Sequence, residues 1–318
     1  MIGLECLKVQ KMHKIKTKLI DVAIYILMGV FYIFSILPRF VINFLGDCLG
    51  SILFYVMKSR TRVAMVNLTL CFGHMSESDK RKFVLKHYRE FTRAMLDYGL
   101  MFFANEKKLR KIVSVKQGQE VIDKYINKEK VILLAPHFAG LDIGANFFSI
   151  DYVGCSMYSE QKNKTIDKLI INARTRFMRD KGGKIFPRTA GIKTIIRAML
   201  QEGSLFYYLP DQDIGDKQRI FVPFFDHPNC PTIDALPKLA KLTRALVIPM
   251  MTKREKDGSY GVYVYSPLEN YPTDDVVSDV AKMNKVVEKL VLDNPYQYFW
   301  LHKRFKNQPD LPTNSYYK

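Results

Sequence analysis

Two side chains in this sequence could share proton-transfer chemistry. His137 follows the apolar run Val131-Ile-Leu-Leu-Ala135 and Pro136, and Asp142 lies five residues on. A carboxylate on histidine Nδ1 fixes the tautomer and raises the basicity of Nε2, which can then take a proton from a hydroxyl nucleophile. No serine or cysteine lies nearby in sequence, which favours direct transfer over a covalent enzyme intermediate. On one continuous helix the two side chains would stand about 140° apart. They meet only if residues 138–140 form a turn, and Gly140 allows one. From spacing alone, H-x4-D serves equally well as a structural histidine beside a nearby aspartate.

The surrounding pattern supplies elements to hold such a pair. Residues 131–135 read as a strand buried on both faces, so His137 stands at a strand's carboxyl end, where open α/β sheets bind ligands. A helical stretch starts near Leu141. Ser76-x-x-Asp79 reads as a capped start for a helix reaching about residue 104, with Val84, Tyr88, Phe91 and Met95 on its apolar side. Residues 169–178 and 192–200 are amphipathic helices, and Gly203 stops the second. Residues 204–209, 220–225, 245–251 and 260–265 are strands, and Thr273 caps a last long helix ending near Asn294-Pro295. Alternation of this kind predicts an α/β fold, a mixed and largely parallel sheet flanked by helices.

The chain has 318 residues, 48% of them hydrophobic, which suits one large α/β domain with an appended segment. We divide it into a basic and apolar segment over residues 1–60 and a catalytic domain over 61–318. Its net charge is +18 (49 basic against 31 acidic residues). That surplus implies an anionic partner. Zinc-finger spacing, an RRM motif and a basic heptad pattern are all absent from the sequence, so nucleic acid is not the expected one. Lysines cluster at Lys8, Lys11, Lys14, Lys16 and Lys18, then at Lys107, Lys108 and Lys111 with Arg110. A third cluster runs from Arg174 through Arg176, Arg179, Lys181 and Lys184 to Arg188. Residues 22–37 carry no charge before Pro38 and Arg39 interrupt, and apolar residues resume over 40–45 and 52–57. The uncharged run is shorter than the roughly 20 residues of a spanning helix. It could span once, lie in the interface, or pack on the domain. The five cysteines are scattered and form no CxxC, so neither a disulfide framework nor a zinc site is indicated, and no cofactor is expected.

Several motifs, taken in order, carry a resemblance. His137-Phe-Ala-Gly-Leu-Asp142 after an apolar strand resembles the HX4D motif of glycerolipid-type acyltransferases. Arg62 through Asn67 to Cys71-Phe-Gly, Tyr158 through Asn163 and Asp167 to Arg174-Thr-Arg176, and Tyr208-Leu-Pro-Asp211-Gln-Asp213-Ile-Gly215 are similar to segments of the lipid A biosynthesis acyltransferases, the late lauroyl and myristoyl transferases. Phe221-Val-Pro-Phe-Phe225 and Tyr298-Phe-Trp300-Leu-His302-Lys-Arg304-Phe-Lys306 continue the match, which covers residues 55–307. Ser159 stands where the family has arginine. Asp226 stands where it has glycine, with Pro228 and Pro231 in the same loop. These departures leave the acceptor open.

The resemblance implies O-acyl transfer from acyl carrier protein to a hydroxyl of a lipid A precursor, on the cytoplasmic side of an inner membrane. Carried over, His137 is the general base and Asp142 its orienting partner. Arg174, with Arg176 beside it, would bind phosphate or polarise the thioester oxygen. Asp211 is a further site residue, and Asp213 could serve instead; as residues they are also good turn formers. Three partners are implied: acyl carrier protein, a lipid A precursor or related lipid acceptor, and an anionic membrane. A lysophospholipid, aminolipid or polyene acceptor is the alternative, and a silent membrane protein binding acidic carriers is a reading from another class. His302 and Trp300 read as a hydrogen-bonded surface histidine and a core aromatic, and His87 as partly buried.

Overall fold

The apolar run ahead of His137 forms the central strand of a seven-stranded sheet. The structure is a computed structural model and describes residues 20–213 and 219–318. The clustered lysines at positions 8–18, and Gly215, lie outside the described residues.

In chain order the first helices are α1 (Ile20–Ile36), α2 (Arg39–Val56), α3 (Lys58–Cys71), α4 (Glu77–Leu96), α5 (Tyr98–Phe103) and α6 (Glu106–Ile112). Then follow β1 (Val113–Gln117), α7 (Gln119–Tyr125), β2 (Val131–Leu134), α8 (Leu141–Asp151), β3 (Cys155–Tyr158) and α9 (Lys164–Thr175). The chain continues through β4 (Lys184–Pro187), α10 (Ile192–Ala198), β5 (Leu205–Tyr208), β6 (Arg219–Phe224), β7 (His227–Ile233) and α11 (Ala235–Thr243). It ends with β8 (Leu246–Arg254), β9 (Tyr260–Val264) and α12 (Val276–Asp293).

The large sheet runs β1-β9-β8-β2-β5-β3-β4, and β6 with β7 forms a separate antiparallel ribbon. Within the large sheet only β8 and β9 pair antiparallel; every other neighbour is parallel. The fold is the expected mixed, largely parallel sheet with helices on both faces. All four residues of β2 are buried, and they alternate between two cores. Val131 and Leu133 pack with α5, α6, α7 and α8 on one face. Ile132 and Leu134 pack with α10, α11 and α12 on the other. A third core lies at one end of the sheet, where α3, α4 and the far half of α12 enclose Trp300 and Phe305.

Local signals account for the helix ends. Ser76 caps α4 by accepting from the Asp79 backbone N–H at 3.1 Å. At α12 the cap is Asp275, whose carboxylate accepts from Val277 and Ser278; Thr273 instead donates its hydroxyl and backbone N–H to Asp279. The helix expected to reach residue 104 breaks at Asp97, because that carboxylate is buried on Arg39, Arg254 and Tyr260. Strands β3, β4 and β7 carry no alternation visible in sequence, and that of β1 covers only Val113-Ser-Val115-Lys116. β1 and β4 are the sheet's two edges, and β7 contains two prolines, which strands tolerate away from central ladders.

Gly140 and Gly144 open the path of α8 across the sheet. Gly140 has an ordinary φ of −87°, so its role is close approach rather than conformational freedom. A Cβ there would stand 2.7 Å from the Thr252 carbonyl oxygen, and one on Gly144 would stand 1.9 Å from the Thr252 hydroxyl. Gly144→Ala must therefore push α8 away from β8. We expect a loss of about 1–3 kcal/mol, read as a lower denaturant midpoint with unchanged slope.

Candidate active site

The register of β2 on β5 builds the site. Leu134 pairs with Tyr208, the ladder extends by Ala135 N–H donating to the Tyr208 carbonyl, and His137 and Asp211 each lie three residues beyond a paired position. The two side chains consequently meet above the carboxyl edge of the sheet. His137 Nδ1 stands 2.7 Å from Asp211 Oδ1, and the His137 backbone N–H donates to Oδ2 at 2.9 Å. The strand end is held from the other side as well: Phe299 N–H donates to the His137 carbonyl, and Ala139 N–H to that of Gln297.

Asp211 is nearly inaccessible, at 2% side-chain exposure, whereas His137 keeps 23%. Burial pushes the Asp211 carboxyl up, but the charge and two hydrogen bonds of His137 outweigh it and hold the group below its ordinary value. An ionised, buried carboxylate on Nδ1 leaves Nε2 as the ring's other function.

Asp142 is not on this histidine. The expected pairing fails because Asp142 sits on the first turn of α8 and turns toward α5 and α9. Arg174 Nε lies 2.8 Å from its Oδ1 and Nη2 donates to Oδ2 at 3.1 Å, while the Tyr98 hydroxyl donates to Oδ2 at 2.8 Å. Burial raises the Asp142 carboxyl, and Arg174 and Tyr98 more than reverse that, with a smaller contribution from His137. Asp142 in turn raises the Tyr98 hydroxyl far above its ordinary range. Tyr98 carries no motif and its role is visible only in three dimensions.

The other expected site residues separate. Arg176 donates Nη1 to Phe102 and Nη2 to Leu100, closing the carbonyl end of α5, and burial pushes its guanidinium down to about 10. Asp213 accepts from the side chain of Asn307 at 2.7 Å. Ser159 and Asp226 also lie apart: Arg188 reaches Ser159 at 3.5 Å, and Asp226, in the β6–β7 turn, accepts from Gly73 N–H at 3.0 Å. His302, expected on the surface, is largely buried and its ring is pushed down to about 4. His87 is fully buried and likewise pushed to about 4.

An apolar cavity begins at the Asp142–Arg174 pair. It follows one face of α8, from Asp142 through Ala145 and Ser149 to Tyr152, with Leu133 and Met157 on its other sides. From the helical rise, the ten steps from Asp142 to Tyr152 span about 15 Å. A polar, cation-bearing end and a long apolar body suit an elongated hydrocarbon chain with a polar head group.

The α/β fold thus sets a histidine–aspartate pair at a strand end, beside an apolar cavity headed by an arginine. The profile of the bacterial lipid A biosynthesis acyltransferases matches residues 10–307, and the chain belongs to that family. It is 32% identical to the lipid A biosynthesis lauroyltransferase of Escherichia coli (strain K12) over 290 residues, 91% of this chain and 93% of the relative. It is 28% identical to the palmitoleoyltransferase of the same organism (89% and 90% covered) and 33% identical to its myristoyltransferase (79% and 76%).

The lowered carboxylates predict a sign for acid sensitivity. A carboxyl held below its ordinary value stabilises the fold above that value and ceases to do so as pH falls through the lowered one. The ordinary value for Asp142 is 3.8. The stability gap between the wild type and Asp142→Asn should therefore be constant near neutrality and narrow as pH drops below about 5, as measured by denaturant unfolding across pH.

Proposed function

We propose that this chain moves a fatty acyl group from the thioester of acyl carrier protein to a hydroxyl of a lipid A precursor, at the cytoplasmic face of the inner membrane. The observation that carries the catalytic assignment is the His137–Asp211 contact at the carboxyl edge of the sheet. In this reading His137 Nε2 takes the proton of the acceptor hydroxyl as its oxygen attacks the thioester carbonyl. Asp211 holds the tautomer and stabilises the imidazolium. The tetrahedral oxyanion collapses with cleavage of the C–S bond, and the carrier thiolate leaves with the proton returned by Nε2. Asp142 and Tyr98 are positioning residues. They hold Arg174, whose side chain keeps 35% exposure, so that its charge lies at the head of the apolar slot where negative charge develops.

The names of the relatives support a lipid A acceptor, since each is a lipid A biosynthesis acyltransferase. The basic surplus of the chain suits an acidic carrier and a phosphorylated acceptor. Ser159 and Asp226 keep a second acceptor in view, namely a lysophospholipid, aminolipid or polyene.

His137→Ala should abolish transfer from acyl carrier protein in purified membranes, and full retained activity would falsify the assignment. Asp211→Asn should lower kcat by about a hundredfold or more, with KM for the donor little changed. Asp142→Asn should lower kcat by releasing Arg174 from the place where negative charge develops, with KM for the donor little changed. Mass spectrometry of lipids from a deletion strain decides the acceptor. Lipid A short of one chain supports the first reading; intact lipid A with another lipid losing a chain supports the second.

The slot should also measure the chain. Ser149 lines it near the far end of α8, so Ser149→Phe should shift the preferred donor to shorter acyl chains, read by competition between carrier-bound acyl groups of different length. An unchanged preference would place the acyl chain elsewhere.

A further inference from the structure

α1 and α2 each use one stripe to dock on the domain and leave the rest apolar. The docking stripe of α1 is Asp21, Ile24, Met28, Phe31 and Ser35, spaced by three and four residues. It is tied at both ends. Thr165 of α9 donates its hydroxyl to Asp21 at 2.7 Å, and Lys108 of α6 donates to the Ser35 carbonyl. Between these, the Phe31 carbonyl sits on Gly99 of α5, where a Cβ would come within 2.0 Å.

α2 is docked as firmly. Its buried residues are Ile42, Gly46, Gly50 and Phe54. The two glycines let it lie on the backbone of α4: a Cβ on Gly46 would be 2.9 Å from the Arg93 Cα, and one on Gly50 would be 2.7 Å from the Arg89 Cα. Asp47 pairs with Arg93 at 2.6 Å, and Arg39, at the helix start, with Asp97 at 2.5 Å.

The outer faces carry Tyr25, Ile26, Ile33 and Ile36 on α1 and Phe40, Phe44, Ile52, Tyr55 and Val56 on α2, each more than half exposed. So large an apolar face on a folded chain marks an interaction surface. Exposed basic residues border it: Lys58, Arg60 and Arg62 follow the end of α2, and Lys107 and Lys111 lie on α6, beside the end of α1. That border suits anionic headgroups. It disfavours a second copy of this chain, which would bring like charges together.

Among the described residues α2 has the length and hydropathy to cross a bilayer. To do so it would either carry Arg89, Glu90 and Arg93 of α4 into hydrocarbon, which is costly, or leave α4 and break both ion pairs. Resting on the membrane reading above, we propose that α2 lies in the plane of an anionic bilayer, its outer face in the interface, and does not cross it.

The test uses the full chain with Phe40→Trp, Leu49→Trp or Val56→Trp and vesicles of phosphatidylethanolamine and phosphatidylglycerol containing lipids brominated at different acyl depths. In-plane binding gives similar, shallow quenching depths for all three positions. Leu49→Trp at the bilayer centre with the other two in opposite leaflets overturns the proposal. So does the absence of any vesicle response, or burial of these positions in a dimer without lipid. Phe44→Glu should weaken vesicle binding by about tenfold or more while leaving transfer to detergent-dispersed acceptor intact. Lys58→Glu with Arg62→Glu should weaken binding to these vesicles but not to phosphatidylcholine alone. Loss of transfer in the His137→Ala protein with its depth profile unchanged separates failure of the catalytic reading from failure of this one.

Discussion

The parallel pairing of β2 with β5 is the constraint on which the site depends. Both strands must run in one direction and in one register for His137 and Asp211 to emerge side by side. A slip of one residue would turn every side chain of β2 to the opposite core. That slip is blocked because Val131 and Leu133 belong to one core and Ile132 and Leu134 to the other. The packing that stabilises the centre of the sheet is thus also what sets the distance between His137 and Asp211. Burial does the rest, since a carboxylate shielded from water but paired to a histidine is both fixed in place and kept ionised.

The second carboxylate works at a distance from the first. Asp142 gathers one side chain from α5 and one from α9 onto the first turn of α8. An ionised group is stabilised at a helix N-terminus, and Arg174 and Tyr98 both donate to its Oδ2 while the Arg174 guanidinium stands beside Oδ1. Three helices are pinned around the head of the apolar slot by this one group. The two glycines of α8 allow that pinning by letting the helix settle on Thr252.

Charge is distributed according to burial. Arg254 and Asp97 lie inside and bind one another, and the half-buried Arg176 binds backbone. Among the exposed basic residues, Lys58, Arg60, Arg62, Lys107 and Lys111 border the apolar faces of the N-terminal helices. The surplus of +18 thus includes both structural guanidinium groups and exposed cations suited to anions, two roles that composition alone does not separate.

The sequence by itself determined the fold class, because a four-residue apolar strand, capped amphipathic helices and alternating elements are local patterns with local causes. It also determined the family through motifs in order, and those motifs single out His137, Asp142, Arg174 and Asp211 as candidates. It could not say which carboxylate meets the histidine. Proximity along the chain favoured Asp142, five residues away, but the partner is Asp211, seventy-four residues away, because neighbouring strand ends are brought together by the sheet and not by the chain. Tyr98 was illegible for the same reason. The edge strands β1 and β4 were missed because short, half-exposed strands carry little hydrophobic pattern. What only the tertiary structure decided is the pairing of charges, and its physical reason is that ion pairs across elements depend on strand register and helix packing, which no local run of residues encodes.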